Sequence, residues 1–118
     1  MPGRQVTDRV VENEQTSSCS WRACPLFAVF VELDNSAEDP EEGRRGLREE
    51  LAPAMEHVPG FVSALFMTAY DRGLGVGVVV LESRVQAEQF AAGFPPGVEV
   101  RPGATVRRTE VLEVSATA

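Results

Sequence analysis

Three strand-length runs of the chain, residues 26–31, 61–67 and 76–81, are apolar on both faces. A strand with one wet face alternates apolar and polar residues; these barely alternate, so the sheet they form needs cover on both sides. The first run ends at the turn cluster Asp34-Asn35-Ser36. Asp39-Pro40-Glu41-Glu42 then reads as a helix start, with Asp39 as N-cap, Pro40 at the first helical position and Glu42 closing a capping box. Leu47, Leu51, Met55 and Val58 fall on one helical stripe, which predicts a helix over residues 40–57. Pro53 should kink or interrupt it, and Gly43 and Gly46 weaken its first turns by about 1 kcal/mol each relative to alanine.

Pro59-Gly60 turns the chain into a second strand, residues 61–70. Asp71-Arg72-Gly73 makes a turn whose glycine supplies positive φ, and residues 75–81 return as a hairpin partner. Ser83 caps a second helix, with Gln86 completing its box, and Gly93 and Pro95-Pro96-Gly97 end it. Residues 98–101 and 106–114 are strand-like, separated by Pro102-Gly103. Gly73, Gly75 and Gly77 lack a following helix, so they form no dinucleotide fingerprint and read as strand punctuation. The order β-α-β-β-α-β predicts an α+β, ferredoxin-like antiparallel sheet with two helices on one face and the first and third strands at its centre.

Two short helices cover one face only. The other would bare about ten apolar side chains, and leaving them wet forfeits on the order of 10 kcal/mol. That rivals the stability of a whole domain, so a second copy of the chain is the expected cover. Residues 1–24 are too polar to do the work and are expected to be a largely flexible tail, with residues 25–115 as the single domain. Trp21, at the end of that tail, suits packing on the domain or a partner subunit better than ligand stacking.

Composition adds exclusions. A net charge of −7 disfavours nucleic acid and anionic membrane surfaces as partners. No apolar run is long enough to span a bilayer and no signal-peptide core is visible, so a cytoplasmic location is expected. All eleven basic residues are arginine, which removes lysine Schiff-base chemistry. The single histidine, His57, rules out a multi-histidine metal site within one chain. Cys19 and Cys24 have neither redox nor zinc-knuckle spacing and are expected to be free thiols.

The segments Leu51-Ala52-Pro53-Ala54, Pro59-Gly60-Phe61, Leu81-Glu82-Ser83 and Val111-Leu112-Glu113-Val114 carry a resemblance covering about residues 26–114. The chain resembles the dimeric α+β barrel proteins of the antibiotic-biosynthesis-monooxygenase type. The resemblance implies a homodimer whose sheets form a barrel, and a small-molecule pocket between sheet and helices in each subunit. Haem-degrading members typically use an Asn, a Trp and a histidine on the second helix; residues 84–92 contain no histidine and the only Trp precedes the first core strand, so haem degradation is not expected, and no bound metal, flavin or other cofactor is invoked.

Two readings follow. One is a cofactor-independent, oxygenase-like enzyme for an aromatic or polyketide-like molecule, with His57 or Tyr70 handling a proton. The other is a non-catalytic binding or interaction protein on the same scaffold. The bland alternatives are a helix-dipole contact for His57 and strand-end packing for Tyr70. Phe66, Met67 and Phe90 are core or pocket lining. Arg107 and Arg108, adjacent on a strand, are expected on opposite faces, which would let Arg108 reach a ligand.

Overall fold

The computed structural model describes residues 25–118. The expectations for the tail, Trp21, Cys19 and Cys24 lie outside the described residues. The domain is α+β. Its strands are β1 (Phe27–Asp34), β2 (Phe61–Ala69), β3 (Leu74–Leu81), β4 (Glu99–Arg101) and β5 (Ala104–Glu113). They form one antiparallel sheet in the order β2-β3-β1-β5-β4. The two most continuously apolar expected strands, β1 and β3, are both interior, as the pattern requires. The arrangement is compatible with a ferredoxin-like type. The short β4 pairs with β5 and gives the sheet a fifth strand beyond the expected β-α-β-β-α-β succession.

The first helical stretch covers the expected residues, but in four pieces. An α-helix, α1 (Pro40–Gly46), runs into a π-helical turn, Leu47–Leu51, then α2 (Ala52–Ala54) and a 3₁₀ turn, Met55–His57. Pro53 has no N–H to donate to the residue 49 carbonyl, and its ring crowds that carbonyl. The preceding turn relaxes by widening, and the Ala52 N–H reaches back five residues to the Leu47 carbonyl. Asp39 caps the helix through the Glu42 N–H at 3.0 Å. The Glu42 side chain does not close the expected box; its carboxylate takes Arg45 instead, at 2.9 Å. The second helix, α3 (Arg84–Ala91), is capped as expected, Ser83 Oγ accepting from the Gln86 N–H at 3.2 Å.

The core fixes which side of the sheet the helices occupy. Phe27, Val29 and Val31 alternate along β1 and pack with Val79 and Leu81 of β3 in one buried cluster. Met55 and Ala87, from the two helical stretches, belong to the same cluster. Both stretches therefore lie on one face. The register sends Phe30, Val78, Val80, Leu65 and Leu112 to the opposite face, where Leu65 is 65% and Leu112 48% exposed.

One strand pairing departs from simple alternation. Between β1 and β5 the register shifts at Glu32/Leu33, so that Arg108 opposes Glu32 while Val106 opposes Leu33. Arg107 is the extra residue of a β-bulge. The expected opposite orientation of Arg107 and Arg108 fails here: both reach the Glu32 carboxylate, at 3.5 and 3.2 Å. Arg108 also pairs with Glu110 and lies 4.8 Å over the Phe30 ring. It thus sits at the polar margin of the helix-free face.

Candidate functional site

A cavity of about 310 Å³ lies between the helix-bearing face of the sheet and the helices. Its floor includes Val31 and Val79, and its roof includes Leu47, Leu51 and Met55 from the stretch interrupted by the π turn. Phe90 of α3 and Phe94 beyond it stack obliquely, centroids 5.0 Å apart, and close one side. The wall is mostly apolar.

Two glycines account for the open space. Gly75 and Gly77 pair across β1 with Leu33 and Val31, so both positions face the helices, and both lie on the cavity wall. A Cβ on Gly75 would find ordinary contact with Leu33 and Asn35 at 3.4–3.5 Å; one on Gly77 would press the Phe66 ring at 3.3 Å. A branched residue at either place on this β-rich central strand would project into the cavity. The alternation Gly75-x-Gly77 is thus the sequence signal for the site, since glycine weakens a strand and marks close approach or required space.

Polar chemistry gathers at one end. Arg101 of β4 is part of the wall, and its side chain is 22% exposed. Its partner Glu38, in the loop before α1, is 4% exposed. The two carboxylate oxygens of Glu38 take Nε and one terminal nitrogen of Arg101, the latter at 3.3 Å. The Tyr70 hydroxyl donates to Glu38 Oε1 at 3.1 Å, and the Arg44 guanidinium stands 5.1 Å from the Tyr70 ring. Burial, and after it the Glu38 carboxylate, push the Tyr70 phenol above its ordinary 10.0, so the group stays a neutral donor at neutral pH. Glu38 and Arg101 are sixty-three residues apart in sequence. Nothing local in the chain marks them as partners.

The candidates named from sequence divide. Phe66, Met67 and Phe90 all border the cavity. Phe66 and Phe90 do so from the helix-bearing side, whereas Met67 pairs with Val76, so the register turns its side chain to the helix-free face, where it is exposed. His57 is exposed at the end of the 3₁₀ turn and is not part of the wall. Tyr70 stands behind Arg101, against Glu38, and also lies off the wall. Arg108 is on the other side of the sheet, held by Glu32 and Glu110. Among the described residues no group of three or more His, Cys, Asp or Glu is placed to hold a metal ion, and no helix is long and apolar enough to cross a membrane.

No family model matches the chain, and neither a curated protein nor a solved structure matches it.

Proposed function

We propose that the protein is a homodimeric small-molecule-binding protein whose cavity takes an apolar, aromatic molecule. The observation that carries this is the 310 Å³ space kept open by Gly75 and Gly77 beneath an apolar roof. That volume is at the lower end of ligand sites, which run to about 300–1,000 Å³, and suits a small aromatic molecule. Water in so apolar a space finds few hydrogen-bond partners, so its displacement by a ring favours binding. The family resemblance implies a pocket between sheet and helices, and the cavity's position supports the same reading.

The dimer is the second half of the proposal. We read the sheet as ferredoxin-like, with two copies joined through the helix-free face into an α+β barrel. Support comes from the exposure of Leu65, Met67 and Leu112 on a face that also carries Phe30, Val78 and Val80. The oxygenase-like reading has less support. It assigns proton handling to His57 or Tyr70, and both stand off the wall; the raised phenol of Tyr70 makes it a donor to Glu38 rather than a base.

The test is binding of the neutral fluorescent probe N-phenyl-1-naphthylamine. Gly75→Val is expected to weaken binding about tenfold or more by filling the cavity, while Val85→Ser, exposed on α3 and off the cavity wall, leaves it unchanged. Binding that Gly75→Val leaves unchanged would overturn the proposal.

A further inference from the structure

We infer that the cavity selects aromatic anions, with Arg101 holding the ligand's ionised oxygen, a carboxylate or phenolate. The inference rests on the reading of the cavity as a ligand site and adds the class of ligand. A guanidinium presents five N–H donors in a fixed planar fork. Among the described residues, Glu38 takes only Nε and one terminal nitrogen of Arg101. No described residue takes the other terminal nitrogen, which leaves its donors for a ligand.

The arrangement around the pair fits a binding role. Glu38 is buried and held from a second direction by the Tyr70 hydroxyl at 3.1 Å. Gly43 lets that hydroxyl in, since a Cβ there would lie 2.0 Å from the Tyr70 oxygen. The carboxylate is thereby fixed, and it fixes the plane of the guanidinium. Arg101 alone of the three also belongs to the cavity wall. The wall's other ionised side chain, Glu50, is exposed and engaged by Arg45 at 3.4 Å. An apolar wall with one oriented guanidinium matches a ring system bearing one ionised oxygen: the ring lies against Phe66, Phe90 and Met55, and the oxygen meets the fork.

Glu38 balances the formal charge of Arg101, so the pair discriminates through directed donors in a site of low polarity rather than through net charge. That makes Arg101 and Glu38 separable from the cavity itself. The ligand's body is held by the wall, and its charged group by the fork.

The experiment compares N-phenyl-1-naphthylamine with 8-anilinonaphthalene-1-sulfonate, the same ring system carrying an anionic group, on the full chain. The readout is the ratio of the two dissociation constants. Glu38→Gln with Arg101→Gln removes both charges and leaves no carboxylate unpaired. It is expected to shift the ratio at least about tenfold against the anionic probe, the size of a lost charge-assisted hydrogen bond, with the neutral probe little changed. Arg101→Lys keeps the charge but spends its compact ammonium on Glu38, and is expected to shift the ratio about threefold or more in the same direction. A ratio unchanged in both variants overturns the inference and leaves the cavity reading standing. Binding of both probes that ignores Gly75→Val overturns the cavity reading, and this inference with it.

Discussion

Tyr70 shows what a residue's surroundings do to its chemistry. From sequence it is a strand-end tyrosine available for proton transfer; in the fold its hydroxyl donates to a buried carboxylate. Removing the phenolic proton would set two negative charges against each other in a poorly hydrated place, so the proton is retained to higher pH. Tyr70 is the chain's only tyrosine, so an ultraviolet absorbance titration reads it alone. The expected midpoint lies above 10.0, and a midpoint at or below that value in the folded protein contradicts the contact. The sign for stability follows. The folded state holds this proton more tightly than the unfolded state, so the stabilisation is complete below the unfolded pKa and is lost as pH rises through the folded one. Tyr70→Phe removes one hydrogen bond to Glu38 and is expected to cost about 1 kcal/mol in chemical denaturation. The role of Glu38 was not legible in the sequence, because its partners come from the β2–β3 turn and from β4.

At the scale of elements, periodicity located almost everything and misjudged the reasons. Of the stripe, Met55 lies in the core, Leu51 packs against it and Leu47 lines the cavity; Pro53 does interrupt the helix, but the break is a widened turn that lines the cavity rather than a simple kink. Gly43 and Gly46 look alike in sequence, as two helix-weakening residues. Packing separates them. A Cβ on Gly43 would strike the Tyr70 hydroxyl and the Glu38 carboxylate, whereas one on Gly46 meets only a Glu50 oxygen at 4.0 Å. Gly46→Ala is therefore expected to stabilise the domain by about 0.5–1 kcal/mol through helix propensity. Gly43→Ala is expected to destabilise it by roughly 1–3 kcal/mol through overpacking, despite the same gain in propensity. Denaturant midpoints decide between them; equal shifts would show that Tyr70 and Glu38 move aside freely. The bulge at Arg107 lies beyond pattern reading for a related reason. One inserted residue turns a side chain to the other face without altering composition or alternation elsewhere.

At the scale of the molecule, the two faces of the sheet differ, and the apolar runs of β1 and β3 read as needing cover on both. The helices and cavity take one face. The other carries Phe30, Leu65, Val78, Val80 and Leu112, bordered by the Glu32–Arg107–Arg108–Glu110 ion pairs. An apolar centre with a charged margin is the usual anatomy of a protein interface, and a two-fold axis would let each copy cover the other. What periodicity does not reveal is the empty volume beneath the helices, because it depends on side chains that are missing at Gly75 and Gly77. The most direct measurement is the mass of the full chain in dilute solution by sedimentation equilibrium, with and without Leu65→Glu. Twice the chain mass of 12.8 kDa for the native protein, falling to the single-chain mass in the variant, is the predicted result. A native protein that stays at 12.8 kDa at micromolar concentration, with Leu65 accessible to solvent, would contradict it.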